Sequence, residues 1–515
     1  MTADIYHFNN DSCKLLSLIL VPCFLISTAG MAAAEEVQFT LRVMMIKESN
    51  KVLYAEIDSD FADVLLSFLT LPLGTIVRLL VKHYGKNAPI FGSLNSLYAG
   101  LLNMDDRHFW TLEGLLMLAY PRNSSEMECS RLKLLIDDTP PTRYFMCSNM
   151  MCVSMYYNMN CRCSNSGNMM NRNDVAVGSQ CGVKSVFTVP TALFILTDDM
   201  QILTNSPASV LRILKLNAIK DTNALEERTL IVGRNEIMEL LKGSLVSKTP
   251  ITDIILPMSS ADDSDTLRET RKFFASAKCE SDALPQTQTS QNISSDSKKI
   301  TVKAFVQKST NRILFAQTRH DFIDFILSLL TIPLGQVQFL LGSSTHLGSI
   351  SNLYRSISDS ENVEYMKSRD TIAKLLEPQI APYYLSKYQI FSLSQQKLPV
   401  FHRTLVHNEI ELCECSHSEL CTSKITTFDP KGQDSYVKGP MLFIVTNDLE
   451  VCTAASKSII SILDQMRIPV FDVEEQELDI GMEEALSILK ATLTSTSALT
   501  NGLQPFLKSR PKQQT

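Results

Sequence analysis

Residues 50–74 read NKVLYAEIDSDFADVLLSFLTLPLG, and residues 311–335 read NRILFAQTRHDFIDFILSLLTIPLG. Laid side by side without a gap, 13 of the 25 positions are identical, far more than unrelated stretches share. The register continues outward. VQFTLRV from Val37 matches ITVKAFV from Ile300, and ALFILTDDMQILT from Ala192 matches MLFIVTNDLEVCT from Met441. Gly233 with Glu236, Leu240, Leu241 and Lys242 matches Gly481 with Glu484, Ile488, Leu489 and Lys490. Blocks that keep their order twice along one chain point to a tandem duplication.

Inside the repeated unit, apolar and polar residues alternate up to Ser49-Asn50 and again after it, which predicts a hairpin; asparagine tolerates the left-handed backbone such a turn needs. Asn311 stands at the matching turn. Asp60 then offers an oxygen to open a helix and Asp63 is favourable in its first turn, with Phe61, Val64, Leu65, Phe68 and Leu69 at helical spacing. Asp321 and Asp324 repeat the device. The proline in TLPLG and TIPLG removes a backbone donor and disfavours helix in the residue before it, so one helix stops there and another starts.

This apolar helix pair must be covered by protein or by lipid. Val64 to Val77 is uncharged but too short to span a bilayer, and the longer run from Phe325 to Ser344 contains Gln336 and Gln338, so a protein core is expected. Leu193–Leu196 and Phe443–Val445 read as buried strands before Thr197-Asp198-Asp199 and Thr446-Asn447-Asp448 turns, and Ser206-Pro207 as a helix start. The predicted class is α+β: a tandem duplication of a unit that mixes a small sheet with several helices.

The domain plan follows from composition. Residues 37–257 form the first repeat domain, with a Cys-rich loop, and 300–493 the second; 258–299 are a polar flexible linker and 494–515 a polar tail. Residues 1–36 are a leader outside the fold, for which two readings stand. Leu15 to Ala34 is uncharged, like a signal or anchor, which would place the chain in the secretory pathway or a membrane. Met31 opens MAAAEEVQFTL, a natural cytosolic start, and this reading sets the expected location as cytoplasmic.

NKVLYAEI, DFADVLLSFLTLPLG, paired cysteines and LFILTDD, taken together from about Val37 to Leu493, resemble the plant family catalogued as domain of unknown function 674. A short Met-Ala start is usual in that family, which supports Met31 as the beginning. The resemblance implies a cysteine-bearing loop in mid-domain, and it supplies no reaction, ligand or catalytic residue.

The chain has 515 residues, 45% hydrophobic and 20% charged, with a net charge of -7 and a pI near 5.7. Such a balance argues against a broad phosphate-binding surface, so no nucleic-acid partner is expected. Thirteen cysteines, an odd number, argue against a complete disulfide framework. Cys147, Cys152, Cys161 and Cys163 have the form C-x4-C-x8-C-x-C and could close a structural tetrahedral zinc site, or be buried thiols in a Met- and Asn-rich loop; Cys181 could replace one of them. In the second half, Cys413, Cys415, His417 and Cys421 lack an upstream pair, with His402 and His407 the only nearby substitutes. If the halves pack about a twofold axis, Asp63 and Asp324 could face one another and share a proton; a cap and a solvent-facing stripe with Ser67, Thr70, Ser328 and Thr331 explain the same residues. His83 and His108 stand apart from any nucleophile, and Trp110 reads as core. No P-loop, GxGxxG, HExxH or GxSxG string occurs. The leading expectation is a non-catalytic interaction or scaffold protein with a protein partner; the alternative is an enzyme or small-molecule binder with its site between the repeats.

Overall fold

In the first half, β1 (Phe39–Ile46) and β2 (Lys51–Asp58) form the expected hairpin, and the turn rests on Asn50 at φ 52°; Asn311 repeats it at φ 56° in the second half. The computed structural model describes residues 37–147, 152–157, 159, 170–172, 185–256, 298–342, 347–398, 401–404, 410–412, 421–424, 426–453 and 459–507. The leader, residue 257 with residues 258–297 of the linker, and 508–515 lie outside these.

After the hairpin come α1 (Ser59–Ser67) and α2 (Leu73–Tyr84), then α3 (Leu94–Asn103) and α4 (Leu112–Ala119). Strands β3 (Leu193–Thr197) and β4 (Ile202–Thr204), α5 (Pro207–Leu216), β5 (Leu225–Val232), α6 (Arg234–Val246) and α7 (Pro250–Ile255) complete the half. The second half repeats the order as β6 (Ile300–Gln307), β7 (Arg312–Arg319), α8 (His320–Ser328), α9 (Leu334–Leu341), α10 (Ile350–Ser358) and α11 (Arg369–Leu376). It ends with β8 (Leu442–Thr446), β9 (Val451–Thr453), α12 (Ile459–Met466), β10 (Val473–Ile480), α13 (Met482–Thr494) and α14 (Ala498–Leu503). The five-stranded sheet of each half runs β4-β3-β2-β1-β5 and β9-β8-β7-β6-β10, every neighbour within it antiparallel. The fold is therefore α+β, in two halves built alike.

Each sheet is covered on both faces. The alternation in β1 and β6 turns one set of side chains toward α1 or α8, while Ile213 of α5 packs with Leu53, Tyr54 and Ile195 on the outer face, as Ile462 of α12 packs with Leu314, Phe315 and Ile444. Ser206 caps α5 by accepting from the Ser209 amide, as its Ser-Pro start predicts. Gly233 and Gly481 open α6 and α13, with Glu236 and Glu484 reaching back to their amides at 2.8 and 2.9 Å.

The cap of α1 corrects the sequence reading. Asp58 accepts from the Phe61 amide at 2.8 Å, Asp60 sits in the first turn, and Asp63 is one turn inside and buried. In α8 the cap position is Arg319, without a side-chain cap. The polar tail also starts later than 494: Ala498, Leu499 and Leu503 are buried, and Thr500 Oγ1 accepts the Ile313 amide at 3.0 Å, as Thr252 of α7 accepts that of Val52.

The halves meet at the duplicated proline. Leu73 donates to the Ile332 carbonyl and Leu334 to that of Leu71, both at 3.0 Å, so TLPLG and TIPLG pair antiparallel about a local twofold. Proline fixes φ near -60° at Pro72 and Pro333, presenting the flanking groups outward. Glycine then permits the close approach: a Cβ on Gly335 would lie 2.6 Å from the Leu375 carbonyl oxygen and 3.1 Å from that of Leu69.

From this point each half reaches into the other. The Ser93 amide before α3 donates to Thr492 O of α13 at 2.9 Å, and Gly100 of α3 lies against Val451 of β9. Reciprocally, Ser349 before α10 donates through its hydroxyl to Ser247 O at 2.7 Å, and Ser356 of α10 accepts the Ile202 amide of β4 at 2.9 Å. The apolar helices α1, α2, α8 and α9 lie in one core shared by both halves. Among the described residues no helix is long and apolar enough to cross a membrane.

Candidate functional site at the seam

Asp63 and Asp324 mark where the seam is built. Asp63 accepts from the amides of Val186, Phe187 and Thr188 at 2.6, 3.1 and 2.9 Å and from the Thr188 hydroxyl at 2.9 Å. The segment it holds pairs with the opposite half, Val189 donating to Tyr365 O and Lys367 to Phe187 O. Asp324 accepts from the amides of Tyr436 and Val437 at 2.6 and 2.8 Å and from Ser386, and that segment pairs with the first half through Trp110 to Tyr436 O and Lys438 to His108 O. Each carboxylate is thus filled by its own backbone donors, and they form no proton-sharing pair. Burial pushes both carboxyls up, Asp324 to about 6, and the donors oppose the shift. The solvent-facing stripe is also overturned: Ser67, Thr70, Ser328 and Thr331 are buried, their hydroxyls bonded to carbonyls one turn back.

Beyond Asp324 the two halves differ. The loop carrying Lys431 is gripped by Thr111, whose hydroxyl donates to Pro430 O at 2.6 Å. Lys431, 1% exposed, donates to Asp429 at 3.0 Å and to the Tyr383 carbonyl, and lies 5.5 Å from the Tyr436 ring centroid. Burial lowers its pKa while Asp429 opposes. An ammonium so committed braces the loop; it is not poised as a nucleophile. Tyr436 donates to Tyr384 O at 2.6 Å.

Next to these stands Arg122, in the segment after α4. Its guanidinium donates to Pro140 O at 3.0 Å and to the Thr142 hydroxyl at 2.8 Å, and its nearest carboxylate, on Glu126, is 3.8 Å away. Tyr144, Tyr156 and Tyr384 surround it closely enough to feel its charge. Burial pushes the Tyr144 phenol up to about 12 and raises Tyr156, Tyr384 and Tyr436 as well, so all of them are protonated donors at neutral pH. The hydroxyls of Tyr383 and Tyr384 are enclosed, that of Tyr384 beside Tyr156 and Arg122 and that of Tyr383 beside Thr427. At the matching place after α11, Gln379 follows Pro378 where Arg122 follows Pro121, so the arginine belongs to one side of the seam alone.

The residues singled out from sequence are distributed differently. Cys147 and Cys152 sit on the short strands Phe145–Cys147 and Cys152–Ser154, buried together with Phe145, Met159 and Phe428. Cys161, Cys163 and Cys181 lie outside the described residues, as do Cys413, Cys415, His417 and His407; among the described residues no group of three His, Cys, Asp or Glu could hold a metal. His83 is exposed beside Tyr84, and His108 lies at the seam near Phe443 with Nδ1 enclosed. Trp110 is partly buried at the seam, not in the core, and Cys129 is a buried thiol pushed up to about 12 by desolvation. Sequence reasoning passed over Tyr383 and Tyr384 because their stretch lacks cysteine, and Arg122 because a lone arginine after a proline carries no motif.

No curated protein and no solved structure is similar enough to match the chain. Residues 35–483 match the model of the family described as Protein of unknown function (DUF674), and over that extent the chain belongs to this family.

Proposed function

We propose that this is a non-catalytic interaction protein of the cytoplasm, a duplicated chain whose interlocked halves form one platform for a protein partner. The observation that carries this reading is apolar surface on the outer helix of each sheet. Leu211 of α5 and Ile460 of α12, each two residues before the buried isoleucine, are both exposed. Leu216 at the end of α5 is exposed as well, and Val470 and Phe471, the latter 81% exposed, follow α12. Large apolar side chains held in water at equivalent places mark surfaces used for association. Changing Leu211, Leu216, Ile460 and Phe471 together to Ser is expected to abolish stoichiometric co-purification of a partner while circular dichroism stays unchanged. Retention of the same partner by that variant overturns the reading.

Structural zinc belongs to the same proposal for the first-half loop, with Cys147, Cys152, Cys161 and Cys163 as ligands. What supports it is that Cys147 and Cys152 share one buried cluster. A second reading, a small-molecule binder at the seam, is favoured by the polar cluster of Tyr144, Tyr156 and Tyr384 around Arg122.

A further inference from the structure

We propose that α5 of one molecule docks on α12 of a second copy of this chain; this rests on the reading of the two outer helices as association surfaces and names their partner. The helices are equivalent elements of the duplication and cover the same place on their sheets. On each, a large apolar side chain stands in water one turn before a charged one: Leu211 before Lys215 in α5, Ile460 before Asp464 in α12. Residues four apart share a helix face, so each pair forms one spot. The two spots are alike in apolar character and opposite in sign.

Leu216, 79% exposed, widens the first spot, and the exposed Ile459 and Met466 widen the second. Among the described residues neither Lys215 nor Asp464 enters an ion pair. Both charges therefore remain available to a surface that comes from outside.

The signs sort the possible pairings. Packing α5 against α5 brings Lys215 near its own copy, and Arg212 and Lys220 add to the repulsion, with no acid between Pro207 and Lys220. Packing α12 against α12 brings Asp464 near Asp464. Arg467, after α12, runs against this pattern, and Asp472, Glu474 and Glu475 beyond it restore the acidic sign. Only the mixed pairing covers both apolar spots with opposite charges facing, and such complementarity fixes partner and register more than it adds affinity. A foreign partner would have to supply both signs at two separate places, whereas a second copy carries them already. The contact is heterologous, so it closes into a ring or continues as a chain of molecules. One helix face on another is a small interface, which puts the association at the weak end.

The test is sedimentation velocity of the full chain at concentrations up to about 1 mM, high enough to populate a weak contact. The weight-average sedimentation coefficient of the wild type is expected to rise with concentration and to fall when salt is raised. Lys215→Glu and Asp464→Lys each set like charges across the contact and should each weaken self-association about tenfold. Both side chains are exposed, so neither change disturbs the core. Mixed in equal amounts, the two variants should recover the association, because each supplies the sign that the other lacks. A wild type that stays monomeric throughout overturns the second copy and leaves the association surface standing, to be decided by the four-serine variant and its own partner. Self-association that neither substitution weakens, or that the mixture does not recover, overturns the pairing of α5 with α12.

Discussion

Asp198 shows how one buried carboxyl ties distant segments together. It accepts from the Thr252 amide and hydroxyl at 2.9 and 2.8 Å, anchoring α7 to the β3–β4 turn, and burial pushes it up to about 6. The second half places Asn447 there, accepting the Thr500 amide at 2.9 Å, so an amide can fill the same role. An unfolded aspartate titrates near about 4. Between about 4 and 6 the folded chain holds a proton that the unfolded chain has released, so this group's contribution is complete below that window and is lost as pH rises through it. Asp198→Asn is therefore expected to flatten the fall in stability from about pH 4 to about 6, read from urea midpoints along the series. A variant that loses stability as steeply as the wild type would refute the assignment. Asp63 and Asp324 carry a related lesson. Their recurrence was plain in the sequence, but that each holds a backbone segment reaching into the other half was not, since their partners are 112 to 125 residues away.

At the scale of elements, the proline-glycine strings were legible as helix breaks because proline's effect is local. Their use as the contact between halves was not, because Pro72 and Pro333 meet only once both helix pairs have folded. Gly335 is the sensitive point, its added Cβ meeting two backbone carbonyls that cannot swing aside. Gly335→Ala is expected to cost about 1–3 kcal/mol or more. Gly74→Ala should cost less, because its tightest contacts at 3.1 Å include a proline side-chain carbon. Chemical denaturation of the two variants checks the order, and equal stabilities would contradict the seam geometry. The caps divide the same way: Ser206 was readable from its neighbours, while Asp58 was missed in favour of Asp60 because β2 runs straight into α1 without a turn to mark the boundary.

For the whole molecule, exchange of α3 and α10 means neither half encloses its core alone. Cutting the full-length chain at a protease site inserted between residues 258 and 297 is expected to leave both pieces in one particle on size-exclusion chromatography, melting in a single transition. Separation of the pieces under native conditions would contradict the interlock. The sequence by itself determined the twofold recurrence, the hairpins and the helix breaks, because apolar period, turn residues and proline act within a few positions. Only the tertiary structure decided that the halves exchange helices, that the recurrent aspartates clamp the crossing segments, and that Arg122 meets Tyr384. Those contacts join residues more than a hundred positions apart, and no local pattern records which distant surface will cover a given side chain.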